Sequence, residues 1–142
     1  MEIRAVASST VNGYAASVET SGHAQTIDIR GKPGGQGSSV NGGELLFLAL
    51  ATCYCNDVYR EAIALGVHID AVEVTVRGRF GERGAPARDI AFDVSVESPD
   101  PTDVVQHLLG QTDRVAEIQN TLRQGFPVAL GHVTINGSQV NL

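Results

Sequence analysis

The sequence has no tryptophan, no long apolar run, and fewer basic than acidic residues. Hydrophobic residues at 42% and charged residues at 18% describe an ordinary globular protein, neither disordered nor membrane-embedded. The longest apolar run, Leu45 to Ala51, falls far short of the ~20 residues that a bilayer-spanning helix requires. The opening MEIRAVASST lacks a basic segment followed by an apolar stretch, so no secretory leader is visible and a cytoplasmic location is expected. A net charge of -6 argues against a nucleic-acid partner, because neutralising phosphates takes clustered cations. The one basic cluster, Arg77, Arg79, Arg83 and Arg88, is broken by Glu82 and Asp89 and reads as a solvated hairpin loop. Repeats and linkers are also lacking, so residues 1–142 are read as a single domain with one core.

Three short β-like runs open the chain, IRAVAS, YAASVET and AQTIDIR, separated by Asn12-Gly13 and by Ser21 to His23. These separators are hairpin signals, and they predict an antiparallel meander. The segment Gly31 to Gly43 carries six glycines and almost no apolar side chain, which predicts a mobile loop. It lacks both Gly-Lys-Ser/Thr and G-x-G-x-x-G, so it is not read as a nucleotide site. Asn41 as cap with Glu44 three residues on, and Gly66 as stop, predict a central helix over about residues 42–65. A second hairpin, VEVTVRGRF with DIAFDVSVES, follows. Two shorter helices are then predicted, capped by Thr102 and Thr112, the second stopped by Gly125, and PVALGHVTING closes as a strand. The order βββ-α-ββ-αα-β is α+β.

Both cysteines, Cys53 and Cys55, fall inside the long helix. Residues two apart point about 200° away from each other, so the pair can form neither a disulfide nor a shared metal grip without breaking the helix. Cys53 lies where an apolar stripe (Leu46, Ala49, Leu50) turns polar (Asn56, Asp57, Arg60), whereas Cys55 shares a mostly packing stripe with Leu48, Ala51, Val58 and Ala62. A reactive cysteine needs a stabilised thiolate, and Cys53 lies three turns into the helix, so a side-chain cation such as Arg60 or an arginine from another segment must supply it. Asp57 and Arg60, at i and i+3, form a helix pair. The four histidines are scattered, and neither metal nor cofactor is expected.

The stretch GGELLFLALATCYCNDVYREA, with Glu44 nine residues before Cys53 after a Gly-rich loop, resembles the OsmC/Ohr family (osmotically inducible protein C-like and organic hydroperoxide resistance-like). The resemblance covers nearly the whole chain. It implies an OsmC-like fold and an intertwined homodimer with sites at the subunit interface. It also implies thiol-dependent reduction of organic hydroperoxides by a peroxidatic cysteine flanked by an arginine and a glutamate. Cys53 matches that cysteine, Arg30 resembles the position of the arginine in one branch, and Glu44 resembles a Pro-x-Glu-Leu-Leu pattern of other branches. Cys55, Asp57 and Arg60 are auxiliary candidates. The sequence departs from the family where a second, resolving cysteine belongs, because Thr112 stands near that place; the chain reads as a divergent branch lacking it. Two functions follow from the resemblance. One is a peroxidase acting through Cys53 in oxidative-stress defence, its sulfenic acid reduced by a small thiol or by Cys55 after local unwinding. The other is a non-catalytic scaffold binding a small apolar or electrophilic molecule at the dimer interface.

Overall fold

A computed structural model of the protein describes residues 1–125 and 127–141. Its residues group into two compact units, Met1–Leu45 and Leu46–Leu142.

The first unit is an antiparallel sheet in the order β1 (Ile3–Thr10), β2 (Gly13–Thr20), β3 (His23–Ile27). Ser21 and Gly22 both take positive φ, 50° and 84°, giving the two-residue turn whose twist matches the strands it joins. The first hairpin turns on Val11 and Asn12, one residue earlier than Asn-Gly suggests, because Gly13 already pairs with Thr10. The Gly-rich segment, read from sequence as a mobile loop, is a hydrogen-bonded reverse turn. Lys32 N–H donates to the Gly37 carbonyl at 3.0 Å, Ser39 N–H to the Arg30 carbonyl at 2.8 Å, and Gly37 N–H to Ser9 Oγ at 2.9 Å.

Helix α1 (Gly42–Leu65) has the predicted bounds, and both ends show why. Asn41 and Glu44 form a reciprocal box: Glu44 N–H donates to Asn41 Oδ1 at 3.0 Å and Asn41 N–H to Glu44 Oε2 at 2.7 Å. At the other end Gly66 takes φ 69°, Val67 N–H reaches back to the Ala62 carbonyl, and Gly66 N–H to Ile63. That pair of bonds terminates the helix through a left-handed residue.

In the second unit, β4 (Ala71–Phe80), β5 (Ala87–Glu97), β6 (Val128–Ile135) and β7 (Ser138–Val140) form a sheet in that order. Alternate residues of β5, Ile90, Phe92, Val94 and Val96, are buried against Leu50, Tyr54, Val58 and Ala62 of α1 and Val105, Leu108 and Leu109 of α2 (Thr102–Val115). The β5 period of two and the i, i+4 spacing on α1 each supply one apolar face, and these faces make the core. Tyr54 packs its ring, tilted by 55°, against Phe92 with centroids 4.8 Å apart and donates its hydroxyl to the Leu109 carbonyl at 3.0 Å, so its polar end is satisfied in the interior.

Three further sequence expectations are corrected. The closing strand is followed by β7, turned on Asn136 and Gly137 at φ 50° and 76°. β5 and β6 are parallel, and α2 with α3 (Glu117–Arg123) supplies the crossover that parallel neighbours need. Thr102 lies within the first turn of α2 and Pro101 precedes it as cap, without a side-chain bond. Thr112 caps nothing: it is a buried interior residue of α2 whose hydroxyl donates to the Leu108 carbonyl, four residues back, at 2.9 Å. The break between helices comes at Ala116 instead.

The register of β5 with β6 slips after Phe92, so that Gly131 and His132 face the single residue Asp93. Asp93 Oδ1 accepts the freed His132 N–H at 2.6 Å, and its other oxygen pairs with Arg77. A Cβ on Gly131 would lie 2.3 Å from Asp93 Oδ1. Gly131→Ala therefore displaces that carboxylate and is expected to cost about 1–3 kcal/mol of stability, measured by denaturant unfolding.

Candidate functional site

Cys53 is half-buried on α1, and its thiol donates to Asp57 Oδ2, one turn on, at 3.5 Å. The i, i+4 relation places the two side chains on one face, as the helical period requires. Asp57 is buried, at 3% exposure, and its Oδ1 pairs with Arg60 Nη1 at 2.8 Å. The same guanidinium nitrogen reaches Glu117 Oε1 at 3.5 Å, and Arg60 Nε meets Glu61 at 3.2 Å. The auxiliary candidates Asp57 and Arg60 thus join Cys53 in one cluster, and Glu117 completes it from α3.

The electrostatics of the cluster oppose a thiolate. Desolvation raises the Cys53 pKa above its ordinary value; Asp57, through charge and hydrogen bond, and the charge of Glu117 raise it further. The backbone N–H of Ile118 is the one contribution that lowers it. Asp57 is itself raised, first by desolvation, with Arg60 pulling the other way. Within this unit the cluster thus favours the thiol over the thiolate.

Cys53 Sγ and carboxylate oxygens of Asp57 and Glu117 lie within 4.8 Å of one another, close enough to share a cation. Arg60 already bridges the two carboxylates, so a metal would compete with a guanidinium for the same oxygens.

The other sequence-named residues lie apart from this cluster. Cys55 is half-buried on another face of α1. Glu44 engages its carboxylate and its N–H in the helix-capping box. Arg30 belongs to the first unit, three residues past the end of β3, and its exposed guanidinium has no side-chain partner among the described residues. Sequence reasoning missed three residues: Glu117, Ile118 and Gln119 at the start of α3. The Gln119 side chain is fully buried and donates Nε2 to the Leu50 carbonyl at 3.0 Å, across 69 residues of chain. No local pattern signals a contact of that separation.

The sequence model of the OsmC-like protein family matches residues 35–131. Among solved structures, the chain is similar to an OsmC-like protein from Mycoplasma pneumoniae, at 18% identity and TM-score 0.68, covering 94% of this chain and 95% of the other. It is similar also to an organic hydroperoxide resistance protein from Elizabethkingia anophelis bearing thiocyanate, at 14% identity and TM-score 0.66, covering 96% and 97%. A third likeness is to the organic hydroperoxide resistance protein OhrB of Bacillus subtilis, at 16% identity and TM-score 0.59, covering 96% and 98%. No curated protein matches significantly. No helix among the described residues is long and apolar enough to cross a membrane. With the family match over 35–131 and the fold shared along nearly the full length, the chain belongs to the OsmC-like protein family.

Proposed function

We propose that this protein reduces organic hydroperoxides through Cys53, using a small thiol as reductant and no cofactor. The observation that carries this reading is the placement of Cys53. It lies on the central helix of a fold shared with organic hydroperoxide resistance proteins, half-buried at the margin between core and a polar cluster. In the step proposed, the sulfur attacks one oxygen of the hydroperoxide, an S–O bond forms and the O–O bond breaks. Sulfur is oxidised to a sulfenic acid and the peroxide is reduced to an alcohol, whose oxygen takes up the proton that left the thiol. One small thiol then condenses with the sulfenic acid, releasing water and leaving a mixed disulfide. A second thiol frees Cys53 as the low-molecular-weight disulfide departs.

The proposed active form is a homodimer. Helix α1 carries a second apolar stripe around Cys55, with Leu48 60%, Tyr59 41% and Ile63 83% exposed. None of residues 1–45 is buried. A helix apolar on two faces and a three-stranded sheet without a core both call for cover, and a second copy provides it.

Arg30, whose guanidinium has no side-chain partner among the described residues, is proposed on the family resemblance as the arginine of the thiol chemistry. Arg30→Gln is expected to slow consumption of an alkyl hydroperoxide, assayed with a dithiol reductant, by about tenfold or more, the size of a charge-assisted contact. An unchanged rate would remove Arg30 from the site. One observation favours the alternative, a scaffold binding a small apolar or electrophilic molecule: burial, with Asp57 and Glu117, raises the Cys53 pKa and disfavours the thiolate. On that reading wild-type protein consumes no hydroperoxide faster than a free cysteine does, and a double Cys→Ser variant loses nothing.

A further inference from the structure

Gln119, whose side chain docks on helix α1 at Leu50, holds an unanswered polar atom. Its side chain is fully buried, and the atom that meets the Leu50 carbonyl has to be the amide nitrogen, because a carbonyl can only accept. This fixes the orientation of the carboxamide and leaves Oε1 buried with no hydrogen-bond donor among the described residues. A buried acceptor without a partner destabilises the fold, so its retention calls for a partner that arrives in another state of the protein.

The position of that atom suggests which state. Leu50 and Cys53 are three residues apart on α1, roughly 4.5 Å along the axis and about 60° around it, so the Gln119 amide docks on the side of the helix that carries the cysteine. Its neighbour Ile118 lies close enough to the Cys53 sulfur for its backbone N–H to favour the thiolate. Successive residues of α3 thus adjoin the thiol and the helix turn that precedes it, and the thiol has only a single proton, already given to Asp57. We propose that Gln119 receives the oxidised cysteine: when Cys53 becomes a sulfenic acid, the sulfur keeps the Ile118 N–H and the new S–O–H donates to Gln119 Oε1. Held in this way, the sulfenic acid keeps its proton and is slow to react with a second peroxide, yet stays open to a small thiol. The inference deepens the peroxide reading and rests on it for its biological meaning.

The test forms the sulfenic acid with excess hydrogen peroxide at high pH, which oxidises even an unactivated cysteine, so a protein that fails to reduce organic hydroperoxides still reports on Gln119. All variants carry Cys55→Ser, and intact-mass spectrometry follows conversion of sulfenic to sulfinic acid at fixed peroxide. Gln119→Met, similar in volume but without a strong acceptor, should convert about tenfold faster, the value of one hydrogen bond. Conversion within about twofold of the parent, whatever the change in thermal stability, overturns the proposal, as does faster conversion in Asp57→Asn with none in Gln119→Met. In protein with intact Gln119, the oxidised-minus-reduced infrared spectrum with isotope-labelled glutamine should show one side-chain carbonyl band moving to lower frequency. A flat glutamine region there contradicts the assignment even if Gln119→Met does not fold.

Discussion

Replacing Cys53 by serine should reduce hydroperoxide consumption to the uncatalysed level, while Cys55→Ser should keep most of the wild-type rate. The asymmetry follows from the helix. The two thiols point about 200° apart, and only Cys53 shares its face with Asp57, Arg60 and the first turn of α3. A hydroxyl at position 53 keeps the hydrogen bond to Asp57 but is a far weaker nucleophile toward peroxide oxygen than sulfur, so the chemistry goes while the fold stays. A chromogenic assay of residual alkyl hydroperoxide checks both variants. Equal loss in the two would mean that Cys55 takes part, for instance as an internal thiol reached by unwinding α1.

The second large effect concerns pH. Burial, the Asp57 carboxylate and the charge of Glu117 hold the Cys53 pKa above its ordinary value, and the thiolate is the nucleophile. The rate constant for the first oxidation should therefore rise about tenfold per pH unit through the neutral range and still be rising at about pH 8.5, the midpoint of an ordinary thiol. Asp57→Asn removes a charge and a carboxylate acceptor that both raise the thiol pKa, so the profile should move to lower pH and the rate at pH 7 should increase several-fold. Stopped-flow kinetics of the two proteins across pH decide the matter. A wild-type profile flat through neutral pH, or a slower Asp57→Asn, would mean that Asp57 works as proton acceptor instead of restraining the thiol. The same raised pKa has a consequence for the fold. The unfolded chain ionises its cysteine first, so the contribution of Cys53 to stability is present at neutral pH and declines as pH rises above the ordinary thiol pKa.

Much of this architecture was legible where the controlling interactions are local. Helix α1 could be bounded from sequence because Asn41, Glu44 and Gly66 act within a turn of the ends they define. Thr112 misled because a threonine before an aspartate looks like a cap. Inside α2 its hydroxyl bonds to Leu108 instead, and the real break at Ala116 adjoins α3, which Gln119 ties to Leu50. As read from sequence, the closing strand PVALGHVTING runs through Asn136-Gly137, and β7 beyond it escapes that reading, since three residues show no alternation. The parallel pairing of β5 with β6 is a long-range choice that no local pattern encodes.

The candidate site divides in the same way. Cys53, Asp57 and Arg60 follow from helical spacing on one element. Glu117, Ile118 and Gln119 arrive from a helix more than sixty residues away, placed by core packing around Leu50, Tyr54 and Leu109. Glu44 was read both as cap and as catalytic carboxylate, and the fold shows its carboxylate engaged in the cap.

The most direct test of the central claim is mass spectrometry of purified wild-type, Cys53→Ser and Cys55→Ser protein after one equivalent of an organic hydroperoxide in the presence of a sulfenic-acid trap. The account predicts a trapped adduct at Cys53 in wild type and in Cys55→Ser, formed faster than on a free cysteine, and none in Cys53→Ser. An adduct rate at Cys53 no greater than that of a free cysteine, at any pH up to about 8.5, would contradict it and leave the family's scaffold without the chemistry proposed for it here.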